Sequence, residues 1–142
     1  MADLHVADFH QVFTRAPFIN DLGATLDFSA KGECHSSLIV QPRFLQQNGF
    51  VHAGVQATLA DHTMGAAAYT TAQSGQAVLT VDFNMSLLRA AKGDKLICRA
   101  RVSKPGKQFT FVDADVYCIA DGKEVLTVKA HATMAVVTAP SA

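Results

Sequence analysis

Asp61 is the residue that most needs a chemical explanation. It stands in the stretch NGFVHAGVQATLADHTMGAAAYT, residues 48–70, where Asp61 and His62 are the only Asp, Glu, Lys, Arg or His side chains of a long apolar run after Gly54. A helix apolar on all sides is normally a buried one, and an ionised carboxylate is seldom fully buried without a partner. Eight positions before it, His52, Ala53 and Gly54 open the helix behind a polar loop of Gln46, Gln47, Asn48 and Gly49. The first amides of a helix lack intrahelical acceptors and sit at the positive end of its dipole. They can stabilise a developing oxyanion, and a carboxylate can serve as general base or nucleophile.

Each of these residues also has a plain structural reading. Asp61 can be a buried aspartate satisfied by cap or backbone donors. His52 reads first as a structural histidine that hydrogen-bonds its loop, with a catalytic role second. His62 points about 100° around the helix from Asp61, which suits packing or an interface. No H-E-x-x-H or similar ligand spacing joins His52, Asp61 and His62, so no metal site is expected.

The elements that must position these groups follow from hydrophobic periodicity. Residues 3–13 carry Val6, Phe9, Val12 and Phe13 on one face, a short amphipathic helix with Pro17 as a stop signal after it. Strands are expected over 23–28 and 33–40, with a turn around 30–32 between them and Pro42 ending the second. After the central helix, residues 77–87 alternate, with Ala77, Leu79, Val81, Phe83, Met85 and Leu87 opposite Val78, Thr80, Asp82, Asn84 and Ser86. Residues 95–103, 109–119 and 125–137 alternate likewise, and Asp121-Gly122 is a strong hairpin signal between the last two. The central helix, apolar on most faces and rich in Ala and Gly, is satisfied if a curved antiparallel sheet wraps around it. The expected fold is therefore α+β, the hotdog arrangement, in one domain over residues 1–142.

Bulk composition narrows the function. The 142 residues are 49% hydrophobic and 17% charged, with 12 basic and 12 acidic residues and a formal net charge of zero. Disorder is excluded, and there is no electrostatic case for nucleic acid or an anionic membrane. No run reaches the ~18 apolar residues of a membrane span, and the N-terminus does not read as a signal peptide. Cys34, Cys98 and Cys118 fit reduced core thiols, and the expected location is the cytoplasm.

The motifs themselves carry a resemblance. Gly49-Phe50-Val51-His52-Ala53-Gly54 followed by Ala57-Thr58-Leu59-Ala60-Asp61 resembles the G-x-x-H-G-G-x-x-A-T-L-x-D signature of the phenylacetic-acid-pathway (PaaI-like) hotdog thioesterases. Residues 78–84, VLTVDFN, resemble that family's V-S-V-D-M-N strand, and Arg89-Ala90-Ala91-Lys92-Gly93-Asp94 resembles the loop after it. The resemblance implies hydrolysis of acyl–coenzyme A thioesters of small, aromatic or medium-chain acids. No cofactor is implied, coenzyme A being part of the substrate. It makes Asp61 the base or nucleophile and the Ala53–Gly54 turn the oxyanion site. Gln46 or Asn48 would hold the substrate carbonyl, and Thr80 would position water. Ala53 departs from the His-Gly-Gly pattern; it keeps the N–H and adds a methyl group. Arg89, Lys92, Lys104 and Lys107 read as a solvated rim or, alternatively, as partners of the coenzyme A phosphates.

Helix geometry adds a constraint independent of the resemblance. Eight positions at ~1.5 Å rise separate Ala53 from Asp61 by roughly 12 Å, while reaction needs contacts of about 3 Å. If both act on one carbon they come from different subunits. A homodimer with Asp61 facing its partner's Ala53–Gly54 turn is expected, with dimers pairing into a homotetramer. A hotdog hydratase or dehydratase and a non-catalytic acyl-CoA sensor are the rival readings.

Overall fold

The computed structural model describes residue 10 and residues 12–141. A short helix α1 (Pro17–Leu22) leads into strands β1 (Thr25–Ala30) and β2 (Glu33–Ile39), and a 3₁₀ turn (Pro42–Phe44) leads to helix α2 (Ala53–Tyr69). Strands β3 (Gln76–Leu87), β4 (Lys95–Lys104), β5 (Phe109–Ala120) and β6 (Lys123–Thr138) complete the chain. All six strands form one sheet in the order β1-β2-β4-β5-β6-β3, every neighbouring pair antiparallel. Helix α2 packs against β2 to β6. This is the α+β hotdog architecture. No helix among the described residues is long and apolar enough to cross a membrane.

The helix from 3 to 13 falls mostly outside the described residues; residue 10 and residues 12–14 are helical. Pro17 does more than stop it. Proline lacks the amide that a first helical residue leaves unbonded anyway, and Pro17 opens α1, which ends at left-handed Gly23 (φ 82°).

The sheet covers one side of α2. Gln56, Leu59, Ala60, Thr63, Met64, Ala66, Ala67 and Ala68 are buried there against Cys34, Leu38, Leu96, Cys98, Val112, Val116, Val128 and Met134. The sheet does not reach every face of the helix. A second stripe, with Gly54 exposed and Ala57, Thr58, Asp61 and Gly65 half-buried, is left open by the sheet. Phe13, 1% exposed, covers one edge of it by packing edge-on to the His62 ring at 4.4 Å.

The alternation read for residues 77–87 is also broken, by a bulge. Thr80 pairs with Met134 and Asp82 with Thr133, so Val81 is an extra residue in β3. One inserted residue exchanges the faces of everything beyond it. Val78 and Thr80 therefore share the helix side with Phe83 and Met85, which pack on the core. Asn84 and Ser86 instead line the opposite, outer face with Arg99, Asp113, Asp115, Lys129 and His131. A second bulge lies in β6. Val116 pairs with Val128 and Tyr117 with Leu126, which leaves Thr127 as the extra residue.

Candidate active site

The start of α2 is held by its own cap. His52 Nδ1 accepts from the Gly54 N–H at 2.9 Å, so the neutral ring carries its proton on Nε2. The His52 carbonyl receives the Val55 N–H at 3.0 Å and the Gln56 N–H at 3.5 Å, and the His52 N–H donates to Phe44 O at 2.9 Å. A Cβ on residue 54 would stand 3.0 Å from Nδ1 of that ring, so glycine keeps the cap close. With those amides engaged, the Ala53 N–H is the one at this terminus with no acceptor among the described residues. It is a free donor at the positive end of a 17-residue helix.

The loop in front is wound around Gln46. Its Oε1 accepts from the Asn48 and Phe50 amides, and its backbone exchanges hydrogen bonds with Phe50 and Gly49. Because Oε1 is used internally, the Nε2 donors are the end available to a ligand. Gln46 lines a cavity of about 490 Å³ together with His52, Ala53, Gln56, Leu88 and Arg89. Asn48 is exposed and is not part of that lining.

Asp61 lies in a different cavity, of about 680 Å³, with Phe13, His62, Gly65, Tyr69, Val78 and Thr80 among its walls. Its Oδ1 accepts from the Thr80 hydroxyl at 2.7 Å. The Thr80 oxygen also lies 3.3 Å from Met134 Sδ, but its single proton goes to the stronger acceptor, the carboxylate. No partner holds Oδ2 among the described residues. The His62 ring hydrogen-bonds through Nε2 to Phe13 O at 3.0 Å; burial pushes its pKa below the ordinary value, opposed by that bond and by the Asp61 charge.

The structure thus brings Gln46, His52 and Ala53 together, and separately Asp61 and Thr80; no residue lines both cavities. Of the four rim cations, Arg89 lines the first cavity and donates to Leu126 O at 3.2 Å. Lys92 is exposed on the loop after β3. Lys104, the last residue of β4, and Lys107, just after it, are exposed at the end of the strand that lies near the C-terminus of α2. There Val102 bonds to Gly32, and Gly32 donates to the Thr70 hydroxyl.

Gln56 joins the first cavity without any motif to announce it. Its only sign in the sequence is polarity three positions after Ala53, on the same side of an otherwise apolar helix. Thr127 donates to its Oε1 at 2.7 Å. The three cysteines are free and buried; desolvation pushes Cys34 and Cys98 up to about 12 and raises Cys118 as well. They are packing residues, not nucleophiles. Among the described residues no cluster of His, Cys, Asp and Glu could hold a metal ion.

Comparison with known proteins agrees with this architecture. Residues 48–125 match the family model of the thioesterase superfamily. Acyl-coenzyme A thioesterase 13 of Homo sapiens is 31% identical over 100 residues, 70% of this chain and 71% of that one. A thioesterase family protein from Silicibacter pomeroyi superposes with TM-score 0.93 at 32% identity, covering 95% of this chain and 99% of that one. A putative thioesterase from Ralstonia eutropha JMP134, described as phenylacetic acid degradation-related, superposes with TM-score 0.77 at 26% identity, covering 89% and 98%. On the match over both the loop that bears Gln46's neighbours and the strand that bears Thr80, the chain belongs to the thioesterase superfamily and is a thioester hydrolase of the hotdog fold.

Proposed function

We propose that the protein hydrolyses acyl–coenzyme A thioesters to the free acid and coenzyme A, at a site completed only between two copies of the chain. The observation that carries this is the division of the functional groups. Asp61 and Thr80 line one cavity, and Gln46, His52 and Ala53 line another, with ~12 Å of helix between the two halves. The open stripe of α2 and the edge strand β3, whose Leu79 and Val81 are 61% and 60% exposed, offer a second copy a surface to cover. In that dimer the carboxylate of one protomer meets the helix terminus of its partner. Pairing of two dimers gives the homotetramer we expect.

The steps then follow from the groups present. The Ala53 N–H and Gln46 Nε2 polarise the thioester carbonyl. Thr80 holds Oδ1 of Asp61, leaving Oδ2 to take a proton from water as the water oxygen adds to the carbonyl carbon. The tetrahedral oxyanion is stabilised by the Ala53 amide, one such donor being worth about 2.7–4 kcal/mol. Its collapse breaks the C–S bond, and the thiolate leaves with the proton returned from Asp61. Arg89, which lines this cavity, and Lys92, three residues on, would meet coenzyme A phosphates; Lys104 and Lys107 are not part of this protomer's cavity. Small, aromatic and medium-chain acyl groups are the substrate class.

The test is thiol release across an acyl-CoA panel by wild type, Asp61→Asn and Asp61→Ala. Turnover in wild type that both variants lose supports the reading. Unchanged turnover in the variants removes Asp61 from the chemistry, and hydration of an enoyl-CoA without thiol release replaces the reaction with that of a hydratase.

A further inference from the structure

Gln56 is 1% exposed, yet only one end of its carboxamide is satisfied. Oε1 is held by Thr127, while Nε2 has no acceptor among the described residues. Among the described residues no wholly enclosed side-chain nitrogen or oxygen lacks a partner, so Nε2 keeps some exposure, and Gln56 lines the cavity it shares with Gln46, His52, Ala53 and Arg89. A donor at a cavity wall is met by water until a ligand acceptor displaces it, and an apolar residue would fill the same volume if packing were the whole role. The residue is explained by an acceptor that arrives with a ligand.

The orientation of the amide is also built. Thr127 is the bulged residue of β6 and is fully buried. Its single proton has two acceptors within range, Gln56 Oε1 at 2.7 Å and Val116 O at 3.2 Å; the shorter contact takes it. A hydroxyl donating to Oε1 turns the N–H groups away from the sheet. The same bulge anchors another part of the lining, because the Leu88 N–H bonds to Thr127 O at 2.8 Å and Arg89 donates to Leu126 O. Gln56 lies one helical turn above Ala53 on the same side of α2.

We propose that Gln56 is a substrate-contacting residue: its Nε2 donates to the thioester carbonyl oxygen beside the Ala53 N–H, and Thr127 is the positioning residue that orients it. This rests on the thioesterase reading above. The test compares wild type with Gln56→Met, Thr127→Val and Thr127→Ser on the best acyl-CoA of the panel. Gln56→Met keeps the volume and loses the donors, so kcat should fall about 10²- to 10³-fold with little change in KM. Thr127→Val should lower kcat in the same sense, and Thr127→Ser should restore it. A second readout is the carbonyl stretch of a ¹³C-labelled thioester bound to the Asp61→Asn protein; adding Gln56→Met, or Thr127→Val, should move it to higher frequency. Folded Gln56→Met with kcat near wild type overturns the proposal. If Gln56→Met does not fold, Thr127→Val with unchanged kcat and unchanged carbonyl frequency overturns it instead. An active wild type with those results sinks this inference alone, whereas a wild type inert toward every thioester sinks the functional reading with it.

Discussion

The Thr80 hydroxyl donates to Oδ1 of Asp61 across 2.7 Å, and it reaches the helix because Val81 is an extra residue in β3. Thr80→Val removes the proton while keeping the β-branched shape, and Asp61 then loses the partner that fixes its rotamer. Hydrogen bonds to charged groups contribute about 1.5–3 kcal/mol, so kcat should drop about 10- to 100-fold. Thr80→Ser should retain most activity. Equal kcat in Thr80→Val and wild type, measured by thiol release, would show that the contact is ornamental to the reaction.

Two further polar residues of α2 meet a strand hydroxyl in the same way. Gln56 is met by Thr127 of β6, and Thr63 lies 2.6 Å from Ser36 of β2. Since Thr63 gives its own proton to Leu59 O at 2.6 Å, Ser36 is the donor between them. The helix thus carries few polar side chains, and these three are clasped to three different strands. That pattern explains why the fold was legible in the sequence and part of the site was not. Period-two alternation survives through β5 and on either side of the single irregularities in β4 and β6, so the strands and their order of appearance could be read. Val81 could not be recognised as a bulge, because Leu79 and Phe83 on either side continue an apolar alternation across it. Thr127 likewise looks like one more β-branched strand residue. Asp61 stood out because a charge in an apolar helix has few structural excuses, whereas Gln56 carries no charge to draw notice.

The division of the site between protomers predicts complementation. Asp61→Asn and Gln46→Ala should each be nearly inactive alone. Unfolded together and refolded as a mixture, about half of the dimers pair unlike chains, and in each of those one of two sites has both parts intact. About a quarter of wild-type activity should return. A single-chain site would recover nothing, and thiol release from the refolded mixture distinguishes the two.

The cysteines should be silent in the folded state. Thiolate is the reactive form, and desolvation holds Cys34 and Cys98 at a pKa of about 12 within the core. Alkylation with iodoacetamide near neutral pH should therefore be negligible in buffer and complete in denaturant, read by intact mass. Modification of any of the three under native conditions without loss of structure would contradict the packing described for β2, β4 and β5.

His62 should make stability depend on pH in a definite direction. Burial is the largest influence and lowers its pKa below 6.5, against the opposing effects of the Phe13 carbonyl and the Asp61 charge. Between the folded and unfolded values the unfolded chain binds more protons, so stability rises with pH there. Stability is therefore lost as pH falls below about 6.5, and the loss levels off once pH passes beneath the folded pKa. His62→Gln keeps a donor for Phe13 O but cannot titrate. Melting curves from about pH 7.5 to about pH 5 should fall more steeply for wild type than for His62→Gln. Parallel curves would mean that the imidazole in the folded chain takes up its proton as readily as in the unfolded one, and that its burial against Phe13 imposes no penalty on the charged ring.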